Sequence, residues 1–221
     1  MNVKALAAEA VGTFLFFFVG AGSVLALNGN GSDPNASLLV VAAAHGLALA
    51  VVASALGAVS GAHVNPAVTF GLWIAGKIDL RTGLGYVVAQ LVGGTAAGYA
   101  LVALIGPIQP TVPALGADVT AAQGVGIEGI LTMVLLLAVF GTAVDARGPK
   151  IGGLAIGLAV FADILLGGTL TGAAMNPARW FGMALWDGPN WTNAWVWIVG
   201  PMVGAAVVAL LYRYLWLPAQ D

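Results

Sequence analysis

Cysteine is absent from all 221 residues, so the chain holds neither a disulfide framework nor a cysteine-ligated metal. Charge is almost as scarce: Asp, Glu, Lys and Arg make up 7% of the sequence, where a soluble domain carries about a quarter. So few ions cannot solvate the surface of a globule this size. The net charge is −2 with no basic run, which argues against a nucleic-acid partner. No nucleophile–base set and no metal cluster emerges from the pattern, so neither catalysis nor a cofactor is expected. The N-terminal apolar stretch is interrupted by Glu9 and continues to Leu27, which does not suit a cleaved signal peptide.

What is abundant is apolar. Hydrophobic residues reach 60%, and 32 glycines suit close packing of helices in lipid. Six runs are long enough to cross a bilayer, at about 5–27, 38–58, 83–105, 124–144, 151–170 and 193–216. Two shorter apolar segments, near 64–75 and 176–186, each begin at an Asn-Pro-Ala and are too short to span. They read as re-entrant half-helices. The expectation is an all-α membrane protein: six transmembrane helices plus two re-entrant half-helices in an inverted repeat. Residues 1–221 form one channel domain, with repeat 1 at about 1–105, repeat 2 at about 124–221 and a linking loop at 106–123.

Lys and Arg set the orientation. Lys4, Lys77, Arg81, Arg147, Lys150 and Arg213 all fall on one side if the spans alternate, which puts both termini in the cytoplasm. The opposite loops hold Asp33, Asp118 and Asp187 and no Lys. Arg179 alone breaks the rule, on the outer half and inside an apolar region. The short termini add an expectation of a microbial cell (inner) membrane.

The halves resemble each other. Ser60-Gly61-Ala62-His63-Val64-Asn65-Pro66-Ala67 aligns with Thr171-Gly172-Ala173-Ala174-Met175-Asn176-Pro177-Ala178, each just after an apolar span. Glu9 and Thr13 have counterparts in Glu128 and Thr132. Three spans per half is an odd number, so the second copy enters the membrane inverted. Such repeats place a functional site at the midplane between the copies.

Asn is a strong N-cap and Pro suits the first helical position, so Asn65-Pro66 and Asn176-Pro177 each start a half-helix. Each start presents orphan N–H groups and about half a positive charge. Inversion brings the two starts together near the membrane centre. With each side-chain oxygen on the cap, the NH2 is left to donate into a lumen. A water held there through its oxygen must turn its hydrogens outward, which breaks a proton wire. Two half charges about 5 Å from a proton, at an effective dielectric near 20, add roughly 3 kcal/mol of repulsion.

These residues resemble the major intrinsic protein family, the aquaporins, over essentially the whole chain. The resemblance implies one pore per subunit and a homotetramer. It also implies passive conduction of water with exclusion of ions and protons, a logic established for aquaporin-type pores in general. The family's outer filter maps by spacing onto His45, Ile164, Ala173 and Arg179, which accounts for the stray arginine. The quartet is similar to the plant tonoplast intrinsic branch, which implies passage of small neutral solutes such as ammonia, urea or hydrogen peroxide. Aquaglyceroporins differ: they build an aromatic wall and carry Asp after the filter Arg, where this chain has Trp180. Loop 106–123 carries no His, unlike some ammonia-conducting members. The resemblance puts His63 at the cytoplasmic pore mouth, lining it or bracing the loop. It makes Glu9 and Glu128 structural acceptors for the re-entrant backbone. Asp163 departs from the family pattern and has no assigned role.

Three other readings compete. A glycerol-type facilitator shares the fold. A proton-coupled secondary transporter would also use inverted repeats, broken helices and buried carboxylates. A junction protein with a closed pore is opposed by the intact Asn65, Asn176 and Arg179.

Overall fold

The computed structural model describes residues 2–27, 33–107, 111–186 and 191–217; Asp187 of the outer-loop reading lies outside the described residues. Helix is the only regular structure among them. The elements are α1 (Val3–Leu27), α2 (Pro34–Ser60), α3 (Pro66–Ile74), α4 (Leu80–Leu104), α5 (Ala121–Val139), α6 (Gly152–Gly167), α7 (Pro177–Ala184) and α8 (Val196–Leu211). Helices α5 and α8 each run on into a π-helical turn, Phe140–Val144 and Tyr212–Trp216.

Local chemistry starts the helices where the sequence places polar caps. The Asp33 carboxylate accepts from the Asn35 and Ala36 N–H groups at 2.9 and 3.0 Å, with Pro34 in the first turn of α2. Asp79 caps α4 through Thr82 N–H, and Thr120 with Gln123 closes a capping box on α5. Five helical stretches are long and apolar enough to cross a membrane: Val3–Leu27, Pro34–Ser60, Leu80–Leu104, Ala121–Val144 and Trp191–Trp216. The sixth, α6, is shorter than its apolar run of 151–170. It stops at Gly167, and the Gly167 carbonyl accepts from both Leu170 and Thr171 as the chain turns into the second re-entrant loop.

The two halves pack in matching ways. Helix α1 lies on α2 and α4 as α5 lies on α6 and α8. Half-helix α3 leans on α8, and α7 leans on α4, so each half-helix rests on the last span of the other repeat. The halves meet closely along α2 and α6. A Cβ on Gly46 would stand 2.6 Å from the Gly157 carbonyl oxygen, and one on Gly157 only 2.3 Å from that of Gly46. Glycine is required at this crossing because no side chain fits between the two backbones. The outward faces carry Leu47, Val51, Leu84, Val88 and Leu166, all largely exposed, as a lipid-facing surface demands.

Candidate functional site

The two re-entrant loops reach the centre as a pair. Asn65 is extended (φ −159°, ψ 120°), and its Oδ1 accepts from Ala67 N–H at 2.8 Å. Asn176 is extended likewise, and its Oδ1 accepts from Ala178 at 3.0 Å and Arg179 at 3.3 Å. Pro66 and Pro177 open the helical turns behind them, followed by the fully buried Ala67 and Ala178. The approach to each cap is left-handed at matching residues. These are Gly61, Ala62 and Val64 (φ 88°, 46° and 42°), and Gly172, Ala173 and Met175 (φ 78°, 43° and 50°). Such backbone costs on the order of 1–3 kcal/mol per non-glycine residue and persists only where its surroundings enforce it.

A buried carboxylate enforces it in each half. Glu9 Oε1 accepts from the Ser60 hydroxyl at 2.6 Å and from His63 N–H at 2.9 Å. Its Oε2 accepts from Val64 N–H at 2.7 Å and from Gln90 Nε2 at 2.8 Å. Glu128 Oε1 accepts from the Thr171 hydroxyl at 2.7 Å and Ala174 N–H at 3.0 Å, and its Oε2 from Met175 N–H at 2.6 Å. The hydroxyls turn back on their own loops, Ser60 accepting from Ala62 and Thr171 from Ala173. A span then seals each loop start: Tyr86 donates to the Ser60 carbonyl and Trp197 Nε1 to that of Thr171. A carboxylate is apt here because it is all acceptor, and the groups that each non-helical loop turns toward it are N–H and O–H donors.

The caps are tied to each other. Asn65 Nδ2 donates to the Met175 carbonyl and Asn176 Nδ2 to the Val64 carbonyl, both at 2.9 Å. This corrects the expectation that both NH2 groups are wholly free. One hydrogen of each is spent on the opposite loop, because the inverted loops bring bare carbonyls within reach. The second hydrogen of each remains.

One cavity of about 340 Å³ contains both caps and the expected filter. Its walls include Asn65, Asn176, His45, Ile164, Ala173 and Arg179, and it reaches Lys77, Ile78 and Val144. His63 also lines it; its ring Nδ1 lies 3.1 Å from Thr69 Oγ1 and its plane meets Tyr86 edge-on. Arg179 is buried, and its Nη1 donates to the Thr111 carbonyl at 2.9 Å. Asp163 is not among the lining residues. It is 3% exposed, and its Oδ2 has no hydrogen-bond partner.

Four contributors were not singled out in the sequence. Ser60 and Thr171 carried a signal, as hydroxyls at one repeat offset. Gln90 did too: it is a lone amide inside an apolar span, and it bridges Glu9 and Thr69. The Thr111 carbonyl carried none, because any residue supplies one.

A family model described as major intrinsic protein matches residues 1–212. An aquaporin TIP4-4 of Zea mays is 47% identical over 97% of this chain and 87% of its own length. A probable aquaporin TIP3-2 of Arabidopsis thaliana is 42% identical over 100% of this chain and 86% of its own. Among solved structures, the aquaglyceroporin from Plasmodium falciparum superposes with a TM-score of 0.88 at 25% identity, covering 98% of this chain and 97% of that one.

Proposed function

The chain belongs to the major intrinsic protein family, and we propose that its central cavity is a passive pore whose filter passes water and small neutral solutes while rejecting ions and protons. Water conduction is the function its aquaporin relatives carry by name, over nearly the full length of both chains. The family consists of channels, not enzymes. The observation that carries the selectivity reading is the shared cavity: both capping asparagines and Arg179 line one space.

A water at the midplane accepts from the remaining hydrogens of Asn65 and Asn176. Its own hydrogens then point toward opposite mouths, and proton hopping finds no aligned chain. The two half-helix starts add their positive potential. Further out, Arg179 supplies a fixed positive charge and N–H donors, held by the Thr111 carbonyl. His45, Ile164 and Ala173 complete the ring. Ile164 and Ala173 are small or unbranched at the tip and supply no aromatic wall, which favours ammonia, urea or hydrogen peroxide over glycerol. The likeness to an aquaglyceroporin bears on the fold. Glu9 and Glu128 act as structural acceptors rather than proton carriers, since every donor around them is a loop N–H, a hydroxyl or an amide.

The transporter reading meets a physical obstacle. Rocking one repeat against the other would break both Asn-to-carbonyl bonds across the centre. We take the assembly to be a homotetramer with both termini cytoplasmic, from the family resemblance and the cation distribution. The chain is an integral membrane protein; the expected cell membrane draws no support from the relatives, whose names carry the TIP label. Stopped-flow swelling of liposomes holding the purified protein, run with water, glycerol, urea and ammonia in one preparation, tests the proposal. Water flux that follows the osmotic gradient and survives an uncoupler is the expected result. Flux that depends on a proton gradient overturns it.

A further inference from the structure

The His45 imidazole, at 5% exposure, is held on three sides. Its Nδ1 lies 2.9 Å from the Val41 carbonyl, and because a carbonyl only accepts, Nδ1 carries a hydrogen. Phe16 meets it edge-on, with ring centroids 6.2 Å apart. Its third neighbour is Gly20 of α1. A Cβ built on Gly20 would stand 2.4 Å from His45 Cδ2, 2.7 Å from Nε2 and 2.9 Å from Cγ. Carbon atoms in contact sit about 3.5–4.0 Å apart, so the ring would have to retreat by about 1 Å. The direction of retreat follows from what lines the pore. His45 and Phe16 line it and Gly20 does not, so the imidazole stands between Gly20 and the lumen.

Resting on the filter reading above, we propose that Gly20 is a further specificity-determining residue. Its missing side chain forms a recess into which the His45 ring withdraws. That recess widens the filter enough for neutral solutes larger than water, of the urea class. Any side chain at position 20 pushes the ring toward Ile164, Ala173 and Arg179 and narrows the passage. Water loses less than urea, because it is the smaller permeant. A weaker helix is not the cause of the expected loss, since alanine is a better helix former than glycine.

The test compares wild type, Gly20→Ala, His45→Ala and the double variant in liposomes, with water and urea flux read by stopped flow. Gly20→Ala should lower urea flux about tenfold or more, the discrimination one methylene gives in a fitted pocket, and water flux by less. In the His45→Ala background the same change should alter neither flux. Gly20→Ala matching wild type for both permeants overturns the proposal. So does an undiminished loss of urea flux when His45 is already alanine, which would place the effect in helix packing. If wild type passes no urea, the solute range proposed for the filter fails, and Gly20 is then judged on water flux, which must fall only when the imidazole is present. Should Gly20→Ala fail to fold, His45→Ala against the double variant decides: equal fluxes support the recess and unequal fluxes overturn it.

Discussion

Replacing Glu128 with alanine would strand three buried donors at once: the Thr171 hydroxyl and the Ala174 and Met175 N–H groups. Leaving a buried donor unpaired costs about 1–3 kcal/mol, so the total is about 3–9 kcal/mol. Folded proteins have roughly 5–15 kcal/mol to lose. Glu128→Ala should therefore unfold or melt far below wild type, and it should lose water flux in proportion. Glu128→Gln is the finer instrument. Its carbonyl can still serve Thr171 and Ala174, but its NH2 then faces Met175 N–H, stranding one donor for about 1–3 kcal/mol. Glu9→Gln places the same NH2 against Val64 N–H, while Gln90 can turn its unpartnered Oε1 toward that NH2, so the cost is again about 1–3 kcal/mol. The order of stability is thus wild type, then the two glutamine variants, then Glu128→Ala. Thermal unfolding followed through the 7 tryptophans reads it directly. A Glu128→Ala protein within about 1 kcal/mol of wild type would refute the reasoning, since three stranded donors cannot cost so little.

Three further outcomes follow from the same geometry. Arg179→Ala removes the one cation among the four residues proposed for the filter and its bond to the Thr111 carbonyl, so larger solutes or cations should enter; vesicle assays returning an unchanged solute profile would count against the filter assignment. Asn65→Ala and Asn176→Ala each lose a cap worth about 1 kcal/mol and a tie across the centre, and together should lower water flux and weaken proton exclusion; a double variant that keeps both would show the asparagines are dispensable. Just past the end of the α5 span, hydrogen bonds from the Arg147 side chain hold the Asp145 carboxyl down to about 2 from an ordinary 3.8, and Arg147 also donates to the Trp216 carbonyl. The folded value is depressed, so this contribution is full above 3.8 and disappears as pH falls through about 2. Hydrogen exchange of the 145–148 segment should accordingly keep its protection from neutral pH down to about 4 and loosen only below, while Asp145→Asn, which keeps one acceptor for Arg147 but loses the charge and the second, should lower it at neutral pH.

Much of the architecture was legible because lipid is an unforgiving solvent. Runs near twenty apolar residues must become helices, and helix starts must be capped. The two Asn-Pro-Ala segments are too short to span and too apolar to sit in water, which leaves re-entry as their reading. Where the chain departed from it, the departures were local. Helix α6 ends at Gly167 because the chain turns there into the loop that needs Glu128. The NH2 groups of Asn65 and Asn176 are half engaged because the opposite loop supplies a carbonyl, and sequence spacing contains no distance between residues more than a hundred positions apart.

The linear order of residues thus determined the spans, their inversion, the two capped half-helices and the paired glutamates, since each follows from local periodicity or from a motif repeated at one offset. Only the tertiary structure decided what those parts touch. It gave Arg179 a backbone carbonyl instead of an acid, bound Gln90 to Glu9 and Thr69, and set Gly20 against the His45 ring. The physical reason is that a carbonyl or an empty Cβ position carries no identity along the chain, and it acquires one only when folding brings a specific side chain against it.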